Sequence, residues 1–423
     1  MTPTRFDFVV IGGGIFGCYA ALYLAGRGAQ VALVEKEAQL FRKASLVNQA
    51  RLHSGYHYPR SVATAAMSDE HKERFTTEHR PFVNFSFEKY YAIDRFGSFT
   101  DPAQFERFCQ YLGIRCDRVE QHPLFNLERL EALYLTEEYS FDPVLLREHY
   151  TQRVENTPGI TVFKNSRVQT AQAEGNQWLL KVRSSKFESL KFEDPAPHLG
   201  IPNFELQTPN STENPKPEAQ LQTSSRVLGI KLQTPTELQT PTVINATYAA
   251  SSAVNRLFGV PDLALTHEIS EIAFVTSPQF GQRGLTVMDG PFGSIMPYGQ
   301  SGLLSLSSVA YTHHKICYDN LPRFDCQTSA DPTCRPEAPG ICTDCARRPA
   351  SNAAKMLAQM QQYFSEAVQF DPMFSYFTIK SKLKASYIDD GRPTDISLLR
   401  TEPKFYCLFA GKVNSIYEIE KIV

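Results

Sequence analysis

Two apolar runs stand close together near the start of the chain. The first, Phe6-Asp7-Phe8-Val9-Val10-Ile11, predicts a strand, and the second, Val31-Ala32-Leu33-Val34, ends a strand over Ala29–Val34. Between them Cys18–Gly26 predicts a helix. Further along, Phe105, Phe108 and Leu112 share one face of a helix over Pro102–Tyr111. A second helix over Phe141–Val154 has Asp142 and Pro143 in cap and first-turn positions. Gly159–Phe163 and Gln177–Val182 read as strands, the latter alternating with polar residues, and Thr242-Val243-Ile244-Asn245-Ala246 as a buried strand. Phe274–Tyr311 reads as a sheet, with turns at Asp289–Gly293 and Pro297–Gly299 and an apolar strand at Leu303–Tyr311. Leu408-Phe409-Ala410-Gly411 reads as a short buried strand meeting a glycine.

Between 185 and 240 this patterning is lost. Pro, Thr, Gln, Ser and Glu dominate, and a unit recurs as Leu206-Gln207-Thr208-Pro209, Leu221-Gln222-Thr223, Leu232-Gln233-Thr234-Pro235 and Leu238-Gln239-Thr240-Pro241. Such sequence buries too little apolar surface to order itself, so 185–240 is expected to be a disordered insertion between two strands. A neutral insertion is favoured over a partner-binding one, since loop insertions cost little stability.

The first strand leads into Gly12-Gly13-Gly14-Ile15-Phe16-Gly17. Gly12 permits the tight turn, Gly14 the approach of a pyrophosphate, and Gly17 close packing of helix on strand. The helix N-terminus then presents N–H groups and a positive dipole end to phosphate. Glu35 closes the second strand at about the spacing expected of a carboxylate that binds a ribose diol. Strand, glycine turn, helix, strand and acid together form a dinucleotide-binding βαβ unit.

Length and composition add bounds. A chain of 423 residues suits about two domains, and 42% hydrophobic with 21% charged residues is ordinary for a globular protein. The net charge of -2 and the lack of a long basic run give no reason to expect nucleic acid. No apolar stretch approaches the ~18 residues of a membrane span, and the expected location is the cytoplasm.

Of nine cysteines, Cys18, Cys109, Cys116, Cys317 and Cys407 sit singly in apolar segments, while Cys326, Cys334, Cys342 and Cys345 share a Pro-rich stretch without periodicity. Four thiolates could bind zinc, but only Cys342-Thr343-Asp344-Cys345 has a usual ligand spacing. A reduced, metal-free loop is the expectation.

A second informative stretch follows the acid: Ala44-Ser45-Leu46-Val47-Asn48-Gln49-Ala50-Arg51-Leu52-His53-Ser54-Gly55-Tyr56-His57-Tyr58-Pro59-Arg60-Ser61. With the glycine turn, it resembles the D-amino-acid-oxidase superfamily of FAD-dependent oxidoreductases, and most of all its L-2-hydroxyglutarate dehydrogenase branch, beside glycine oxidase and sarcosine oxidase. Val243–Ala249 is similar to the family's strand ending in an Ala-Gly turn, and Asp390-Gly391-Arg392-Pro393 to its Gly-x-Arg-Pro segment. Two departures stand out: Thr247-Tyr248 replaces the usual glycine after Ala246, and Gly411-Lys412 replaces Gly-His or a glycine-rich helix start.

The resemblance implies an α/β chain: a Rossmann-like FAD-binding domain built from 1–80, 136–184, 241–260 and 391–423, and a second, antiparallel-sheet (α+β) substrate domain from 81–135 and 261–390. FAD is the implied cofactor, held by Gly12, Gly14, Ile15, Phe16, Gly17, Glu35, Lys36, Ser45, Asn48, Val168, Gly411 and Lys412. Lys412 would add positive charge near the flavin's pyrimidine side, unless it is an ordinary surface lysine. Arg392 would bind a substrate carboxylate through its planar fork, the alternative being a salt bridge to Asp389 or Asp390. His53 would take a proton or position substrate, or only shape the flavin site; a covalent histidyl-flavin link is a remoter option. Tyr56, Tyr58, Arg60 and Tyr298 are further candidates for the pocket, although aromatic residues more often fill cores.

The activity implied is removal of hydride from the carbon next to the carboxylate of an amino acid or 2-hydroxy acid. The substrate is expected to be small and anionic, with oxygen, a quinone or an unknown acceptor. The alternatives are a flavoprotein acting on a nucleotide sugar or glycan precursor, and a non-catalytic flavin-binding scaffold.

Overall fold

The structure is a computed structural model that describes residues 2–57, 59, 71–184, 235–328, 333–384 and 394–421. Its central six-stranded sheet has the order Ile160–Phe163, Val31–Val34, Phe8–Ile11, Thr242–Asn245, Lys404–Phe409 and Asp395–Thr401. The first five strands run parallel and the last is antiparallel. Successive residues of one strand serve opposite faces. Val10 packs on the helices Ile15–Gly26 and Pro143–Asn156 through Leu24, Leu146 and Val154. Val9 and Ile11 face Trp178, Leu180 and Leu238. Burial on both faces is why the strand sequence is an unbroken apolar run. The Pro143–Asn156 helix starts as expected, with Asp142 accepting from Val144 N and Leu145 N at 3.0 Å each.

The layer opposite the helices is a four-stranded sheet, ordered Thr4–Arg5, Thr236–Thr240, Gln177–Ser184 and Ser166–Glu174. This corrects the expected extent of the insertion. Thr236-Glu237-Leu238-Gln239-Thr240, which takes in most of the last copy of the repeat, is a strand that pairs antiparallel with Trp178–Val182 and parallel with Thr4–Arg5. Its alternation turns Leu238 and Thr240 inward, each fully buried, so the unit gains an apolar face once a partner strand lies beside it. The rest of the repeat region, 185–234, lies outside the described residues.

A nine-stranded sheet forms the second body, running from His313–Cys317 through Leu265–Thr276, Leu304–Ser308, Gly293–Pro297, Gly284–Met288, Lys89–Asp94 and Leu130–Thr136 to Cys116–Arg118. The 13-residue strand Asp371–Leu383 also pairs with Leu265–Thr276. The sheet is antiparallel apart from one parallel pair, Gly284–Met288 beside Lys89–Asp94. The fold is α/β, a Rossmann-like layered domain with a second sheet domain. A small three-stranded sheet, Arg51–Leu52, Tyr139–Phe141 and Val83–Asn84, carries the chain between the two. No helix among the described residues is long and apolar enough to cross a membrane.

Candidate cofactor and substrate site

Strand order reverses between Phe8–Ile11 and Thr242–Asn245, and ligands of open α/β sheets bind at the carboxyl ends of strands at such a switch point. The glycine turn lies there. Gly12 has φ +106°, and a Cβ on it would meet the Ala246 carbonyl oxygen at 2.7 Å. A Cβ on Gly17 would lie 1.8 Å from the Gly12 oxygen, so helix and strand close on each other only with glycine. At Gly14 a Cβ would come within 2.9 Å of Ser45 Oγ, which accepts the Ile15 N–H at 3.0 Å.

From this turn a cavity of about 840 Å³ runs toward the second sheet. Its near end is polar. Glu35 Oε2 accepts from Gly13 N at 2.6 Å and Oε1 from Glu37 N at 2.7 Å. Burial pushes the Glu35 carboxyl up, against the pull of Lys43 and these two N–H groups. Burial and the neighbouring Lys43 charge lower the Lys36 ammonium. Partial burial pushes the Glu37 carboxyl up too, but Lys43 and Lys36, at 2.9 and 3.2 Å, outweigh it and hold the carboxyl down. Val168, Ile15, Phe16, Gly411 and Lys412 line the same cavity. Asn48 lines it too, but its amide also shapes the loop: Nδ2 donates to Ala44 O and Ser45 O, and Oδ1 accepts from Ala50 N at 2.7 Å.

The far end holds charges under apolar cover. Arg51 and His53 line the cavity, and both face the wholly buried carboxylate of Glu138. Arg51 Nε lies 3.5 Å from Glu138 Oε2, and His53 Nδ1 lies 3.7 Å from Oε1. Tyr91 donates to Glu138 Oε2 at 2.9 Å. Arg51 also donates to Thr286 Oγ1 at 3.1 Å, to Ser294 Oγ and to His57 Nε2. Lys89, fully buried, donates to Thr286 Oγ1. Burial and the Arg51 charge push the Lys89 ammonium well down.

Arg51, Lys89 and Glu138 were not singled out from sequence. Arg51 lies inside the quoted stretch and Lys89 opens the run Lys89-Tyr90-Tyr91-Ala92-Ile93. A charged residue inside an apolar strand was the available signal, and only pairing across separate sheets shows its partner.

Other candidates fall elsewhere. Tyr56 is a core residue whose hydroxyl donates to Arg115 O and accepts from Glu137 N, with its ring against Tyr91 and Phe105. Tyr298 is also core, donating to Leu46 O at 2.6 Å and packed edge-on to Phe274. Neither is among the residues that line the cavity, and both are buried in the core. Tyr58, Arg60 and Arg392 lie outside the described residues. Among the described residues no group of three or more His, Cys, Asp or Glu side chains has metal-holding geometry, the four clustered cysteines included.

Residues 7–190 match the family model DAO, FAD dependent oxidoreductase. The chain is 43% identical over 72 residues to the FAD-dependent monooxygenase FPY4 of Fusarium mangiferae, a match covering 17% of the chain and 19% of that protein. It is likewise 43% identical over 61 residues to the FAD-dependent monooxygenase kojA of Aspergillus flavus, covering 14% of each. The matches thus span less than a fifth of the length of these relatives. Among solved structures, L-alpha-glycerophosphate oxidase from Mycoplasma pneumoniae with FAD bound aligns over 99% of the chain and 93% of its own, with a TM-score of 0.63 and 14% identity. Glycine oxidase from Geobacillus kaustophilus aligns over 98% and 92%, with a TM-score of 0.62 and 13% identity. At such identity these two show a shared fold.

The residues present fit FAD. The open groove at Gly12 and Gly14 admits a pyrophosphate, and each Glu35 oxygen keeps a second lone pair for a ribose hydroxyl. Residues 7–190 are therefore similar to the FAD dependent oxidoreductase family DAO, and the site they build fits FAD.

Proposed function

We propose that the protein oxidises a small anionic substrate, an amino acid or a 2-hydroxy acid, at the carbon next to its carboxylate. The observation that carries this reading is the Glu138 carboxylate, buried between Arg51 and His53, which both reach the cavity. FAD, when bound, supplies the hydride acceptor. Arg51 is held by Thr286, Ser294, His57 and Glu138, and supplies a fixed positive charge with one remaining Nη1 N–H for a carboxylate. The sequence candidate Arg392 is proposed as a second cationic contact. His53 takes the substrate's hydroxyl or amine proton, and Glu138 at 3.7 Å stabilises the imidazolium so formed.

Stopped-flow flavin reduction of purified holoenzyme tests the roles. Arg51→Lys keeps a charge but loses the several fixed contacts that hold it in place, so substrate half-saturation should rise about 10- to 100-fold. His53→Asn should slow reduction by about 100-fold or more for a hydroxy acid and far less for an amine, whose proton can leave to water. Unchanged kinetics in both variants would remove this end of the cavity from the reaction. The two fungal relatives named as monooxygenases favour a second reading, in which molecular oxygen is a co-substrate. An oxygenated product, in place of hydrogen peroxide and an oxidised acid, would select it.

A further inference from the structure

The cysteine-bearing segment is not needed by the chemistry above, yet it reaches the cofactor cavity. Its base is fixed to the second domain. Thr343 Oγ1 donates to Phe377 O at 3.0 Å and accepts from Phe377 N at 2.9 Å, on the strand Asp371–Leu383. Cys342 packs on the apolar cluster of Phe324, Phe377 and Ile379. Its tip is a tight turn in which Arg335 and Ala338 exchange backbone hydrogen bonds at 3.0 and 3.3 Å. Cys334 Sγ accepts from Gly340 N at 3.2 Å and so fastens the turn at its neck.

The tip crosses to the glycine-turn domain. Lys43 donates to Pro339 O at 2.8 Å and Lys36 to the same oxygen at 3.0 Å. Arg42 pairs with Asp344 at 2.6 Å. Arg335, Glu337 and Gly340 line the cavity at the end marked by Glu35. In a dinucleotide fold that acid marks the ribose nearest the adenine. Arg335 brings a planar guanidinium, a group that stacks on aromatic faces.

We propose that residues 333–344 form a clamp over the adenosine half of FAD. The second domain supplies it, and Lys36, Lys43 and Arg42 are its catches on the first. The clamp acts on adenosine and leaves the flavin ring to the rest of the site. It rests on the FAD assignment and not on the substrate reading.

FMN separates the clamp from any general effect, because it shares the flavin ring and lacks the adenosine. Deflavinated full-length protein is reloaded with FAD or FMN, and release is followed by flavin fluorescence after dilution. Replacing residues 335–340 by a Gly-Ser linker of equal length should speed FAD release at least about tenfold and leave FMN release unchanged. Should that variant not fold, Asp344→Lys answers the same question, since Asp344 is exposed, lies outside the cavity lining and would repel Arg42. Equal changes for FAD and FMN, or no change for FAD, would overturn the clamp. A wild-type protein that bound neither nucleotide would overturn the cofactor assignment with it.

Discussion

Gly17 shows how tightly a single position can be specified. A methyl group there would sit 1.8 Å from a backbone oxygen, so Gly17→Ala must part helix from strand. The expected cost is about 1–3 kcal/mol or more, with loss of FAD uptake, read by thermal unfolding and flavin absorbance. Tyr248 is the opposite case. It belongs to the pair Thr247-Tyr248 that replaces the family's glycine after Ala246, and holds φ +55°, a left-handed conformation that costs a tyrosine about 1 kcal/mol. Its hydroxyl donates to Ser381 O and accepts from Ser381 N, and its ring stacks on Phe409, which offsets that strain by tying the two domains together. His79 gives a pH signature. It is buried, with Nε2 against the Tyr150 hydroxyl and Nδ1 against Phe75 O, and burial depresses it from 6.5 to about 4. The unfolded chain binds the extra proton first. His79's contribution is thus complete above pH 6.5 and lost as pH falls toward about 4, by at most ~1.4 kcal/mol per pH unit. Chemical denaturation across that window should show the slope, and His79→Gln should flatten it.

At the scale of elements, Asp142 serves two structures at once. One oxygen caps the Pro143–Asn156 helix and the other accepts from Gln300 N at 2.9 Å in the second domain. Asp142→Ala should therefore cost more than the ~0.5–2 kcal/mol of an ordinary cap, measured as a shift in the denaturation midpoint. The cap itself was legible, because Asp-Pro before an apolar period is a local signal. The parallel strands were legible for the same kind of reason, since burial on both faces leaves unbroken apolar runs. The strand Thr236–Thr240 was not, because its residues repeat those of a low-complexity tract and only its partner strands give it an inside. The Arg51–Glu138–His53 group was illegible in another way. Its parts come from Arg51–Leu52, the loop after it and the turn before Tyr139–Phe141, and sequence shows no distance between them.

Across the whole molecule, the two domains meet around one cavity, and the region 185–234 leaves from Ser184 and returns beside it, since Val182 pairs with Thr236. A short turn in place of 187–233 should leave stability and FAD binding within error of the parent, since closing a shorter loop costs no more entropy. The proposal that bound FAD is reduced by a small anionic substrate gripped at the Arg51 end of the cavity is the central one. Anaerobic absorbance of the purified protein against amino acids, N-methyl amino acids and 2-hydroxy acids tests it most directly. The prediction is a yellow protein whose oxidised-flavin band is bleached by one of these classes, with the bleaching weakened in Arg51→Lys. A yellow protein that no anionic substrate bleaches, or one bleached equally well after Arg51→Lys, would contradict it.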